Sequence, residues 1–116
     1  MGELSVVLIS KNQEWNIARL VESVLKETAH LPETEILLVD SASKDRTTEL
    51  AAQYPIKVLK LHSDQHLSAS AGRYVGSKHT IGSLVLFLDG DMELCKGWLD
   101  QALEIMHTQT DVAVVC

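Results

Sequence analysis

Two aspartates two positions apart, Asp89 and Asp91, follow directly on the apolar run Leu84-Val85-Leu86-Phe87-Leu88. Five apolar residues in succession predict a strand buried on both faces, so the carboxylates emerge where that strand leaves its sheet. The edge formed by strand C-termini is where open α/β sheets hold their ligands. Two hard oxygen donors held close together suit Mg²⁺ or Mn²⁺, and such an ion is most useful beside a diphosphate. The first chemistry suggested is therefore metal-assisted work on a phosphate bond. An Asp-x-Asp pair alone arises readily by chance, and its placement after a strand is what gives it meaning. The competing structural role is a solvated turn in which Asp91 or Glu93 caps the next helix.

Two further strand ends bring polar groups to what a parallel sheet makes the same edge. Ser10 to Asn12 follow the first apolar strand, and Asp40-Ser41 follow the second. Asp40 can accept hydrogen bonds from a base N–H or from ribose hydroxyls. Asp40-Ser41-Ala42-Ser43 reads equally well as a turn organised by its own aspartate. His62 and His66 are four apart, a spacing that serves a metal only on one helical face; they flank a loop and read as surface histidines.

The elements that must position these residues alternate in type. Leu4 and Val6 to Ile9 form a first strand, and Asn12-Gln13-Glu14 is expected to open the helix after it. Ile17, Leu20, Val21, Val24 and Leu25 give that helix an apolar stripe that must pack on something flat. After a turn at Pro32, Glu35 to Val39 forms the second strand; Ser43 is expected to cap a helix running through Leu50 to Gln53, which Pro55 stops. Ile56 to Leu61 reads as a more exposed third strand. The small residues of Ser68-Ala69-Ser70-Ala71-Gly72-Arg73 predict a helix able to approach a ligand closely, with a break near Gly82. Trp98, Leu99, Ala102, Leu103 and Met106 mark another amphipathic helix, and Val112 to Val115 start a further strand. Trp15 and Trp98 are expected to pack at the core or its rim, and Met92 with Leu94 beneath the acidic turn. Such alternation predicts an α/β fold with a mainly parallel sheet and helices on both faces.

Composition narrows the partners. The 116 residues are 46% hydrophobic and carry 16 acidic against 10 basic residues, a net charge of −6. No basic run or stripe occurs, which argues against nucleic acid. An anionic ligand therefore needs local help from a metal or from helix N-termini. The longest apolar stretches are far short of the roughly 20 residues that span a bilayer, and no basic-then-apolar leader pattern opens the chain. A cytoplasmic setting is expected, with any attachment to a membrane surface supplied by segments outside this sequence. Cys95 and Cys116 lie in no metal or disulfide spacing. The chain stops at Cys116 inside an apolar strand, so residues 1–116 are expected to be the N-terminal part of a larger domain.

Four segments together resemble a known family. Ser5-Val6-Val7-Leu8-Ile9-Ser10-Lys11-Asn12-Gln13-Glu14, Val39-Asp40-Ser41-Ala42-Ser43-Lys44-Asp45-Arg46-Thr47, Gly72-Arg73-Tyr74-Val75-Gly76 and Leu86-Phe87-Leu88-Asp89-Gly90-Asp91-Met92-Glu93-Leu94 are similar, in order and spacing, to the signatures of family 2 glycosyltransferases of the GT-A fold. The resemblance implies a Rossmann-like half that binds a UDP- or GDP-sugar, and metal-assisted, inverting transfer to a hydroxyl of a glycan, a lipid-linked or another acceptor. It assigns Ser10, Asn12 and Glu14 to the first nucleotide-contacting loop, Asp40 to base or ribose, and Arg73 to the nucleotide or diphosphate. Asp89 would face ribose and metal, and Asp91 would ligate the Mn²⁺ or Mg²⁺. Ile9 stands where the family usually has Pro, Lys11 where an aromatic is common, Ser41 where a second Asp often sits, and Tyr74 where Asn is frequent. Arg73 has an alternative role as a helix-surface arginine paired with an acid.

Chemistry is dictated by where charge builds. Breaking a sugar–phosphate bond leaves negative charge on the departing diphosphate, which a metal held by Asp91 offsets. The acceptor hydroxyl also needs a base. Asp111 precedes its strand and belongs at the opposite edge, so the base is expected beyond Cys116 and the fragment alone is expected to be inactive. Two other readings compete. A haloacid-dehalogenase-type phosphatase would use Asp89 as nucleophile, although its motif normally sits on the first strand rather than the fourth. A non-catalytic module would keep nucleotide binding and lose transfer.

Overall fold

A computed structural model of the chain describes residues 4–31, 33–62, 69–80 and 82–108. Strands and helices alternate along it as β1 (Leu4–Ser10), α1 (Ile17–Thr28), β2 (Glu35–Ser41), α2 (Thr47–Ala51), β3 (Lys57–Leu61), α3 (Ala69–Lys78), β4 (Leu84–Asp89) and α4 (Trp98–Thr108). The strands form a four-stranded sheet in the order β3-β2-β1-β4, and every pairing is parallel. The strand expected from Val112 lies outside the described residues, as do Pro32, Ser68, His66 and Asp111.

Side-chain alternation along the strands divides the core in two. Leu4, Val6 and Leu8 of β1 join Ile36, Leu38 and Leu88 on one face, where Ile17, Leu20, Val21 and Val24 of α1, Ala51 of α2 and Leu99 of α4 cover them. Those four α1 residues are fully buried, and each burial favours the fold by roughly 1.5–3 kcal/mol relative to exposure. On the opposite face Val7, Ile9, Leu37, Val39 and Leu61 pack with Val75 of α3. Helices therefore lie on both faces, and β1 is buried along its whole length.

Three expectations about packing change here. β4 is not buried on both faces: Val85 and Phe87 are each 37% exposed. In register they share a face with Ser5 and Val7, and the main packing of α3 is on β1 and β2. Among the described residues β4 pairs only with β1. Trp15, expected to pack, is 69% exposed, and Met92 is 47% exposed while Leu94 is buried; Trp98 does pack against the core.

The small residues of α3 serve the sheet rather than a ligand. A Cβ on Gly76 would stand 2.5 Å from Val7 Cγ1, and one on Gly72 would stand 3.0 Å from Ile9 Cγ2. Glycine at these two positions lets the helix settle onto the β-branched side chains below it.

Gly76→Ala should accordingly lower stability by about 1 kcal/mol. Overpacking costs ~1–3 kcal/mol, against up to ~1 kcal/mol gained from helix propensity. Gly72→Ala, with the looser contact, should cost less. Denaturant midpoints of the two variants test this ordering, and a stabilised Gly76→Ala protein would show that α3 is loosely seated.

Candidate functional site

Parallel register places the polar strand ends together. Ser10 lies opposite Asp40 and Ile9 opposite Asp89, so the loops after β1, β2 and β4 open from one edge of the sheet. The sequence-derived residues Ser10, Asn12, Glu14, Asp40, Asp89 and Asp91 all reach that edge, and Arg73 reaches it from α3.

Most of these groups are engaged within the protein. Asp40 is 1% exposed. Its Oδ1 accepts the Ser10 hydroxyl at 2.8 Å and the Ser43 hydroxyl at 2.5 Å, and its Oδ2 accepts the Ser43 backbone N–H at 2.9 Å. The turn reading of Asp40-Ser41-Ala42-Ser43 thus describes what this side chain does. Ala42 sits at φ 54°, a left-handed conformation costing a non-glycine residue roughly 1–2 kcal/mol, and the Asp40–Ser43 bonds close the loop around it.

The loops after β1 and β2 are laced together in both directions. Backbone N–H groups of Asn12, Gln13 and Glu14 donate to Ser43 Oγ at 2.8 Å, Thr47 Oγ1 at 2.9 Å and Asp45 Oδ2 at 3.1 Å. In return, Asn12 Oδ1 and Glu14 Oε1 each accept a backbone N–H at 2.8 Å, from Lys44 and Arg46. Asn12 itself lies at φ 53°. This corrects the expected start of α1: the helix opens at Ile17, not at Asn12, because the donors of residues 12–14 are satisfied by the neighbouring loop. Ser43 likewise does not cap α2, which spans only Thr47–Ala51; its hydroxyl is spent on Asp40 and Asn12. Asp45 instead accepts from the N–H and hydroxyl of Thr47.

The acidic turn is built differently. Arg73 Nη2 donates to Asp89 Oδ1 at 3.2 Å, with both side chains partly exposed, so the paired-arginine alternative holds in this structure. Asp91 is exposed and has no side-chain partner among the described residues. Gly90 has no room for a Cβ, which would stand 2.6 Å from Gln13 Cγ and 3.2 Å from Ile9 O. Gln13 Oε1 is buried there without a hydrogen-bond partner. Asn16, 3% exposed, reaches the same turn through its amide. Gln13 carries no signal of this role in the sequence, whereas Asn16, a polar residue four before Leu20, stands in phase with the apolar stripe of α1.

The donors fit a hard divalent cation in one particular manner. Among the described residues no cluster of three or more His, Cys, Asp or Glu gathers. Asp89 and Asp91 could supply one or two carboxylates, leaving water and substrate phosphate oxygens to complete an octahedral shell. That is how Mg²⁺ is commonly held at phosphate-transfer sites. Cys95 is exposed and unpaired with any other cysteine, and no helix among the described residues is long and apolar enough to cross a membrane.

Residues 5–116 match the sequence profile of Glycosyl transferase family 2, and the chain belongs to that family. It is similar to glycosyltransferase AglE of Haloferax volcanii, 29% identical over 103 residues that cover 86% of this chain and 34% of that protein. It is also similar to polypeptide N-acetylgalactosaminyltransferase 12 of Mus musculus, 31% identical over 122 residues, covering 100% of this chain and 21% of that one. In three dimensions it resembles S. aureus TarS residues 1–349 in complex with UDP-GlcNAc, with TM-score 0.80 and 28% identity, covering 93% of this chain and 32% of that chain. The α/β sheet is thus the Rossmann-like half of a GT-A fold. The chain spans about a third or less of the length of these relatives.

Two outcomes test the loop chemistry. Slight desolvation acts to raise the Asp45 pKa, but the Thr47 hydroxyl and the backbone N–H groups of Thr47 and Glu14 outweigh it and hold the carboxyl below its usual value. A depressed carboxylate contributes stability that is present above its unfolded pKa of about 3.9 and is lost as pH falls through the lower folded value. Amides 12–14 and 44–47 should therefore lose exchange protection below about pH 4, and Asp45→Asn should abolish that pH dependence; an unchanged acid transition would assign it to another carboxyl. Asp40→Asn sets an amide N–H against the Ser43 N–H or the two hydroxyls, and should lower unfolding free energy by about 1–3 kcal/mol. Chemical denaturation with wild-type stability would mean the turn reorganises around the amide.

Proposed function

We propose that this chain is the nucleotide-sugar-binding part of a glycosyltransferase that moves a sugar from a UDP- or GDP-sugar to an acceptor hydroxyl with the help of Mn²⁺ or Mg²⁺. The observation that carries this reading is the convergence of Asp89, Asp91 and Arg73 with the laced loops of Ser10, Asn12, Glu14 and Asp40 at one sheet edge in a family 2 domain. Membership in that family disfavours the phosphatase alternative.

Each group then has a role. Ser10 and Asp40, with Asn12 and Glu14, shape the rigid wall against which base and ribose lie. Asp89 faces the ribose and the cation, and Asp91 is the principal metal ligand. Arg73, already beside Asp89, balances charge at the diphosphate. When bound, the metal supplies Lewis-acid stabilisation of the departing diphosphate. Ser41, buried, leaves the base without the second acidic contact that the family often provides. Given the chain's share of its relatives' length, we assign the acceptor site and the general base to parts outside it, so residues 1–116 alone should bind nucleotide without turnover.

In the full-length protein, calorimetry should show UDP or GDP binding more tightly with Mn²⁺ than with chelator. Asp91→Asn keeps an oxygen and loses the charge; sugar transfer should fall about 10²-fold or more. Metal-coupled binding without transfer under any acceptor tried would favour the non-catalytic module. Robust phosphoester hydrolysis that requires Asp89, with no sugar transfer, would sink the glycosyltransferase reading.

A further inference from the structure

Asn16 occupies the N-cap position of α1, yet its side chain makes no capping hydrogen bond. An asparagine there ordinarily accepts an N–H from the first helical turn. Here the amide is turned outward from the helix: Nδ2 donates to Gly90 O at 3.0 Å and to Met92 O at 2.8 Å. These are the carbonyls on either side of Asp91 in the chain. Carbonyls only accept, so the nitrogen end of the amide is the end that fits. One amide group therefore fixes the backbone on both sides of the exposed aspartate.

The same side of α1 also holds the chain beyond the turn. Ser23 Oγ accepts the Leu94 N–H at 2.9 Å, and Glu27 Oε1 accepts the Gly97 N–H at 2.8 Å. Residues 16, 23 and 27 recur along one helical line, so the segment from Gly90 to Gly97 lies on a polar seam. From the sheet side, the Gly90 N–H donates to Ile9 O at 2.7 Å. The turn is thus held through its backbone, and among the described residues the Asp91 carboxylate takes no part in holding it.

We propose that Asn16 is a positioning residue for Asp91, clamping the acidic turn from α1 so that the carboxylate is aimed before cation and diphosphate arrive. The inference rests on the nucleotide-sugar reading above. It gives a buried residue that touches no ligand a specific share in metal-coupled binding, as outer-shell partners of metal ligands often have.

The test is titration of UDP into the full-length protein by calorimetry, once with Mn²⁺ and once with chelator. The quantity read is the ratio of the two dissociation constants. Asn16→Asp preserves volume and faces two carbonyls with acceptors; the ratio should fall about tenfold or more, while affinity in chelator changes less than about twofold. Asn16→Gln, which keeps the donors one methylene further out, should retain part of the ratio. A folded Asn16→Asp protein with the wild-type ratio overturns the inference, and so does an equal loss in both arms, which would make Asn16 a general structural support. If Asn16→Asp does not fold, the ratio for Asn16→Gln decides, and a wild-type value there overturns the inference. A wild-type protein with equal affinity in both arms overturns the metal-dependent reading itself, and this inference with it.

Discussion

The placement of the polar groups at the C-terminal edge of the sheet depends on β1. It is buried throughout, hydrogen-bonded on both sides to parallel neighbours, and packed above and below by helices. A parallel sheet points all its C-terminal ends the same way, and a central strand with no free face or edge cannot slip by one residue without turning its whole apolar set over. Ser10 opposite Asp40 and Ile9 opposite Asp89 are consequences of that single registration.

Above this floor the protein uses its polar residues on its own backbone first. Asn12, Glu14, Asp40, Ser43, Asp45 and Thr47 satisfy one another and the N–H groups between them. Each such bond adds only about 1 kcal/mol net, but together they hold left-handed residues 12 and 42 in place. The acidic turn reverses this allocation. Its backbone is fixed by Ile9 and Asn16, and the Asp91 carboxylate is left exposed. Rigid walls beside an exposed carboxylate are the elements of electrostatic preorganisation.

Legibility in the sequence tracked the range of the interaction. The stripe of Ile17, Leu20, Val21 and Val24 repeats within one helix and could be read directly, as could the aspartates at the end of an apolar run. The parallel sense of the sheet and the shared edge follow from the alternation of element types, whereas the order of the strands does not. The exposure of Val85 and Phe87 could not be read, because an apolar run looks the same at the centre of a sheet and at its margin. Nor could the roles of Asn12, Glu14 and Asn16: their partners lie 31 to 76 residues away, and the same residue types serve equally as ligand contacts or caps. The start of α1 falls at Ile17 rather than Asn12 for that reason, since its apparent capping residues answer to another loop.

The glycines of α3 have an effect on charge. Arg73 lies between Gly72 and Gly76 in sequence, and its guanidinium reaches Asp89 because the helix axis can come down onto Val7 and Ile9. One methyl group at position 76 would require roughly an ångström of lift to restore ordinary van der Waals contact. That displacement is comparable to the margin by which a 3.2 Å ion pair remains a direct one. Neutral residues beneath the helix therefore act as a spacer that sets how closely the Arg73 guanidinium stands to Asp89, so a charge contact of this domain can be retuned without exchanging a single charged side chain.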